Sequence, residues 1–278
     1  MADELTFEPQ FITHDGLEIR YASSPKPSAE AVILLSPWPE SIYAYLPMWP
    51  DLASEFSLVA LDLPGFGQSQ GRPDLMGPRA MAEFIVEFTE VLGLDRPHAV
   101  GPDVGTGALL FTAANHPGAF KSLTVGAGAA TFPLHVDGAL KAFIDAESIE
   151  EFRGVDPGQI IRGAVDRIRN YEVPDSVRED YVRSYAGTRF LESIEYVRNY
   201  PKDLAELSSL LPRISTPVKI VVGRDDPYGL AVDAQRLHEQ LPHSQLDVFD
   251  TGHNAWEEDS VRYRSVVADW INGAFNNA

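Results

Sequence analysis

Val100-Gly101-Pro102-Asp103-Val104-Gly105-Thr106-Gly107 decides how the rest of the chain is read. A short apolar run, Pro97 to Val100, leads into it, and a helix-like segment, Ala108 to Ala114, leads out. Glycines two residues before and two after Asp103 are what a very tight strand-to-helix turn requires. They remove Cβ atoms that would collide as the backbone reverses. The apex side chain then stands at the C-terminal edge of a sheet, beside a helix N-terminus that favours negative charge. In the serine version of this turn the apex is a hydroxyl; here it is a carboxylate. A carboxylate needs no base to activate it and can attack carbon directly, giving an ester. The competing reading of Asp103 is a plain helix N-cap, and the G-x-D-x-G pattern alone does not separate the two.

The chain has 278 residues, which suits a single large α/β domain with an insertion, and 44% of them are hydrophobic, enough for a sizeable core. The net charge of −19 argues against nucleic acid and anionic membranes as partners, because their phosphates would be repelled. There are no cysteines, hence no disulfide framework, thiolate metal site or thiol nucleophile. The opening Met-Ala-Asp-Glu-Leu-Thr is acidic, with no basic-then-apolar leader, and no apolar run approaches the length of a membrane span. These features predict a soluble, cytoplasmic protein. No internal repeat or low-complexity stretch is visible.

In chain order, Phe7 to Ile12 and Leu17 to Ala22 flank Asp15-Gly16 and read as a hairpin. Ala31 to Leu35 is a continuous apolar run suited to a strand buried on both faces. It ends in Ser36-Pro37-Trp38-Pro39-Glu40-Ser41, where two prolines around a tryptophan forbid helix and suit a cis bond at Trp38-Pro39. A helix is expected over Ile42 to Glu55, a strand over Ser57 to Leu61, and a helix on which Met81, Phe84, Ile85, Phe88, Val91 and Leu92 are spaced three and four apart. Ser122 to Val125 adds a strand. This alternation implies a parallel sheet with right-handed crossovers. From 132 to 211 the rhythm changes to helices without a convincing strand, a candidate inserted cap on a core made of 1–131 and 212–278. Five of the ten tyrosines fall there: Tyr171, Tyr181, Tyr185, Tyr196 and Tyr200. The sheet resumes at Val218 to Val222, then a helix over Ala231 to Leu241, a strand from Gln245 to Phe249 and a terminal helix over Val261 to Phe275. Eight strands result.

Three polar residues fall at the C-terminal ends of strands in that sheet: Asp103, Asp226 and His253. Open α/β sheets place their sites on this edge. Taken singly, His253 could be a satisfied surface group and Asp226 plain turn chemistry before Pro227. Together, in the order nucleophile, acid, histidine, they make a catalytic constellation. Asp225 competes for the acid position; Asp226 is preferred and Asp225 is expected to face solvent.

The chain resembles the α/β-hydrolase superfamily over nearly its full length: a mostly parallel sheet flanked by helices, with an inserted helical cap. Within it, the similarity is to the branch with an aspartate nucleophile, the epoxide hydrolases and haloalkane dehalogenases. Ser36-Pro37-Trp38-Pro39-Glu40-Ser41 is similar to that family's H-G-x-P-E-S loop, Asp62-Leu63-Pro64-Gly65-Phe66-Gly67-Gln68-Ser69 to its D-x-x-G-x-G-x-S loop, and Gly252-His253 with Trp256-Glu257 to its G-H-x-x-x-W-E ending. The departures are Ser36-Pro37 in place of His-Gly, Pro102 in place of the His before the nucleophile, and Val104 in place of the Trp after it. The backbone amides of Trp38 and Val104 survive these changes as oxyanion-hole donors.

The resemblance implies hydrolysis through an ester on Asp103, with His253, oriented by Asp226, activating water, and no metal or organic cofactor. Epoxide opening is favoured, because dehalogenases supply two side-chain N–H donors to the halide and the tryptophan after the nucleophile is missing. Epoxide hydrolases protonate the ring oxygen with cap tyrosines. Tyr196, in a stretch that resembles the family's W-Y-R-N but lies one place early, and Tyr171 are the candidates, with Tyr181, Tyr185 and Tyr200 as further alternatives. The substrate expected is small, neutral and largely apolar, with a homodimer left open. The rivals are a dehalogenase with the same triad and a degenerate hydrolase kept as a binding protein.

Overall fold

The computed structural model describes residues 7–278. In chain order the elements are β1 (Pro9–His14), β2 (Leu17–Ser24), β3 (Ala31–Leu35), α1 (Trp49–Glu55), β4 (Ser57–Leu61), α2 (Pro78–Val91), β5 (His98–Pro102), α3 (Val104–Asn115), β6 (Leu123–Gly126), α4 (Gly138–Asp145), α5 (Pro157–Val165), α6 (Asp175–Ser184), α7 (Arg189–Arg198), α8 (Tyr200–Leu210), β7 (Val218–Gly223), α9 (Leu230–Gln240), β8 (Ser244–Phe249), α10 (Ala255–Glu258) and α11 (Ser260–Ile271). The eight strands form one sheet in the order β1-β2-β4-β3-β5-β6-β7-β8. β2 runs antiparallel to both its neighbours, and from β4 across to β8 every pairing is parallel. The α/β-hydrolase fold expected from the sequence is the fold observed.

The local chemistry explains the elements. The β1–β2 hairpin closes with Asp15 and Gly16 at φ 48° and 75°, the pair of positive angles that a two-residue turn matched to strand twist demands. Along β3, Ile33 and Leu35 face one core layer while Val32 and Leu34 face the other, so the apolar run is continuous because helices cover both faces of the sheet. The expected helix over Ile42 to Glu55 is divided into a 3₁₀ turn, Ile42–Tyr45, and α1. Pro47 lies between them and Pro50 sits in the first turn of α1, where its missing N–H is harmless. The expected terminal helix stops at Ile271 and is followed by Gly273 at φ 124°, a conformation that ends helices. The short α10, directly after His253, has no periodicity that a sequence reading could detect.

Between β6 and β7 lie α4 to α8, with no strand among the described residues. No helix among the described residues is long and apolar enough to cross a membrane.

The turn at Asp103 depends on close backbone approach from two sides. A Cβ on Gly101 would sit 2.6 Å from Leu109 Cδ1. A Cβ on Gly128, in the loop after β6, would lie 2.1 Å from the Asp103 carbonyl oxygen. Backbone cannot yield as a side-chain tip can. Gly128→Ala is therefore expected to destabilise the fold by about 1–3 kcal/mol, the range for overpacking a close contact. It should also displace the turn and lower activity. Denaturant titration beside an activity assay measures both, and an unchanged midpoint would refute the close approach.

Candidate active site

Asp103 joins β5 to α3 with φ 52° and ψ −121°, a conformation that side-chain-bearing residues rarely adopt and that costs about 1–3 kcal/mol. Its own amide donates to Gly126 O at 2.9 Å, its carbonyl accepts from Thr106 N at 3.0 Å, and Thr106 Oγ1 donates to Gly126 O at 3.0 Å. These bonds hold the apex up. The side chain makes no capping bond to α3. Its Oδ2 accepts instead from the Trp38 amide at 2.6 Å, from the loop after β3. The N-cap reading is thereby set aside.

The other two members arrive from the ends of β7 and β8. His253 Nδ1 lies 2.8 Å from Asp226 Oδ2, and Asp226 Oδ1 accepts from the Tyr228 amide at 2.8 Å. The Asp226 side chain has no exposed surface, so both its oxygens are held in place. His253 Nε2 faces Asp103 Oδ1 across 3.9 Å, too far for a direct hydrogen bond. Asp225 is exposed and accepts from Arg169 at 3.1 Å, and both lie on the lining of the cavity described below.

The charges are tightly linked. Burial pushes the Asp103 carboxyl up to about 6, against the pull of His253 and the Trp38 and Val104 amides. The Val104 N–H favours the carboxylate without closing a well-aligned bond to it. At His253 burial opposes the imidazolium, but the charge and hydrogen bond of Asp226, then Asp103 and Glu40, outweigh it and lift the group to about 9. The resting pair is thus carboxylate and imidazolium. Beneath them lie two more buried carboxyls. Glu40 accepts from Trp256 Nε1 at 2.9 Å and from Asn254 Nδ2. Burial lifts it to about 7, and burial and the charge of Glu40 push the neighbouring Glu257 well above the usual carboxylate range.

Asp103, His253, Trp38 and Glu40 open onto a cavity of about 280 Å³ whose opposite wall, Leu140, Phe143, Ile160 and Phe190, is apolar and comes from α4, α5 and α7. Neither of the tyrosines expected there lines it. Tyr196 is buried and donates to Val104 O at 2.8 Å, its ring packed edge-on to Phe66. The one-residue slip noted in the sequence turns it under the strand-to-helix turn rather than over it. Tyr171 lies half-buried near Glu257, away from the lining. Tyr181 donates to Glu257 Oε1 and Tyr185 to Glu40 O. Tyr200 is buried and is also absent from the lining.

The tyrosine that does line the cavity is Tyr228, two residues after Asp226. Its ring stands edge-on to that of His253, centroids 4.8 Å apart at 90°. Burial pushes its phenol up, and the charge of the nearby Arg167 guanidinium pulls it back. The sequence reading missed Tyr228 because it looked for acids only between β6 and β7; proximity to the expected acid was the available signal. The Trp38 indole N–H is taken up by Ser193 Oγ at 2.9 Å.

The model of the alpha/beta hydrolase fold family matches residues 30–260. The chain belongs to that family, and it is a hydrolase of it. It is 31% identical over 180 residues (61% of this chain) to the dihydrolipoyllysine-residue acetyltransferase component of the acetoin cleaving system of Cupriavidus necator, and spans 47% of that protein's length. An uncharacterized hydrolase, YugF, of Bacillus subtilis is 23% identical over 272 residues, covering 93% of this chain and 96% of its own. A soluble epoxide hydrolase of a Corynebacterium species is 31% identical over 105 residues, 38% of this chain and 35% of its own. Among solved structures, Cfl2 of Burkholderia cenocepacia superposes with a TM-score of 0.82 at 21% identity, covering 97% of each chain.

Because Asp103 is among the groups holding His253 up, removing its charge should lower the imidazole pKa. In Asp103→Asn, NMR titration of His253 is expected to show a midpoint clearly below about 9. A midpoint that does not move would disprove the coupling.

Proposed function

We propose that the chain hydrolyses an epoxide to a diol through an ester on Asp103. The observation that carries this reading is the facing arrangement of a strained, amide-bound carboxylate and a histidine anchored by a second, buried carboxylate. A serine-type hydrolase would place a hydroxyl at the apex and would need histidine to deprotonate it. Here the nucleophile is already ionised above about pH 6, and histidine is left free for water.

In the first step Asp103 Oδ1 attacks a ring carbon, forming the ester C–O bond as the ring C–O bond breaks. The electron pair goes to the ring oxygen, which takes the proton of the Tyr228 hydroxyl. A phenol suits an alkoxide leaving group, and Arg167 beside it stabilises the phenolate that results. Esterification removes the negative charge of Asp103, and with it one of the groups keeping His253 protonated. His253 can then lose its proton to the phenolate and act as base toward water. In the second step hydroxide adds to the ester carbonyl, whose oxygen is received by the Trp38 and Val104 amides. Collapse releases the second hydroxyl of the diol and restores Asp103. Helices α4 to α8 serve as the cap that closes the apolar wall over the reaction.

The partial match to a soluble epoxide hydrolase supports the same chemistry. A halide leaving group would need side-chain N–H donors, and the Trp38 indole N–H is already bonded to Ser193.

In His253→Gln the ester should persist: mass spectrometry after exposure to an epoxide is expected to show Asp103 heavier by one substrate molecule. Diol formation with Asp103 unmodified would rule the mechanism out. Tyr228→Phe should slow ester formation by about 10²–10⁴-fold, the usual worth of a positioned acid, whereas Tyr171→Phe should not. For the native enzyme kcat/KM should fall about tenfold per unit as pH drops below about 6, because the carboxylate of Asp103 is then protonated. A pH–rate profile flat between 4 and 7 would exclude that assignment.

A further inference from the structure

We infer that the substrate is anionic, an epoxide with a carboxylate on or beside the ring, and that Arg167 receives this carboxylate. The inference rests on the epoxide reading above and replaces the neutral substrate expected in the sequence analysis.

Two arginines line the cavity. Arg169 is neutralised by Asp225 at 3.1 Å and Glu258 at 3.2 Å. Arg167 has no carboxylate oxygen within 4.0 Å among the described residues. On the same lining lies Tyr228, whose neutral phenol leaves the guanidinium's fork of five N–H donors without a charged partner. The remaining donors match a carboxylate, which guanidinium binds in bidentate fashion.

Position narrows the substrate further. The Tyr228 ring stands edge-on against His253, and Tyr228 and Arg167 line the same cavity as Asp103 and His253. If the phenol protonates the ring oxygen, the group bound by its neighbour must be close to that oxygen in the substrate. A carboxylate one bond from the ring satisfies this; one at the end of a long chain does not. The cavity is also polarised. Of the carboxyls on the lining, Asp225 and Glu258 are paired with Arg169, whereas Asp103 and Glu40 have no arginine partner, and an anionic group is driven from these two toward Arg167. The hydrocarbon remainder then falls against Leu140, Phe143 and Phe190. The chain as a whole carries −19, so an anion is repelled at long range and needs a local cation to enter. The product would be a vicinal dihydroxy acid.

The test compares phenylglycidate with phenylglycidamide, which differ in charge and little in shape, on the native enzyme and on Arg167→Gln, Arg167→Lys and Arg162→Gln. Arg162 is exposed on α5 and is absent from the cavity lining. The native enzyme should favour the acid over the amide by about tenfold or more in kcat/KM, as a charged hydrogen-bonded pair requires. Arg167→Gln should abolish that preference chiefly through KM, Arg167→Lys should restore part of it, and Arg162→Gln should change neither. Equal turnover of acid and amide by the native enzyme, or a preference that survives Arg167→Gln, overturns the inference while leaving epoxide hydrolysis intact. Calorimetry with cinnamate, the same skeleton without the ring oxygen, separates the two ideas. Cinnamate binding that is lost in Arg167→Gln supports the anion site even if neither epoxide reacts. No binding to the native enzyme counts against it.

Discussion

A single strained residue sets the geometry of this protein. At φ 52° and ψ −121° Asp103 sits where the backbone resists a side chain, and the conformation persists because the surroundings over-determine it. The Gly126 carbonyl takes the Asp103 amide, Thr106 ties α3 back to β6, and Gly128 lets a neighbouring loop come within contact of the Asp103 carbonyl. What the strain achieves is orientation. The carboxylate is lifted off its own helix and presented to the Trp38 amide on one side and His253 on the other. An unstrained N-cap would have the same residue type with no reach.

Charge then converts position into chemistry. One imidazole lies among Asp226, Asp103 and Glu40, which together outweigh the effect of burial and keep it protonated. An imidazolium cannot be a base. In the proposed reaction, ester formation at Asp103 neutralises one of the charges that support the proton and so weakens the hold on it, while Asp226 stays in place. The electrostatics thus favour the order of the two proposed steps. The buried Glu40–Glu257 pair fits the same logic: burial and mutual repulsion raise both carboxyls and disfavour ionising the two together.

The helices between β6 and β7 do more than roof the cavity. Their tyrosines reach into the loops of the sheet: Tyr185 to the Glu40 carbonyl and Gly67 amide, Tyr181 to Glu257, Tyr196 to the Val104 carbonyl. Asp180 of α6 meets Arg20 of β2, which also bonds Asp62 after β4, and all three are nearly inaccessible to solvent. A buried ion pair of this kind is weak evidence of net stability, but removing one member strands the others. These contacts fix the loop carrying Trp38 and Glu40 from above, and they explain why aromatic hydroxyls concentrated in this segment are not free to meet a substrate.

The local signals in the chain were enough for the fold and for the three residues that face one another. Short strands ending in polar loops, glycines around Asp103, and the Asp15–Gly16 hairpin are constraints of backbone sterics and hydrophobic burial, which act over a few residues and so are written in consecutive letters. Tyrosine orientation was not legible. Whether Tyr196 points over or under the turn depends on a helix rotation of about 100° per residue, fixed by packing against Phe66, far from it in sequence. Nor could the letters show that Arg167 lacks a counter-charge in the described chain while Arg169, two residues on, has two carboxylate partners. Pairing across the cavity is decided by distances between β7, β8 and the helices above them, and only the assembled molecule sets those.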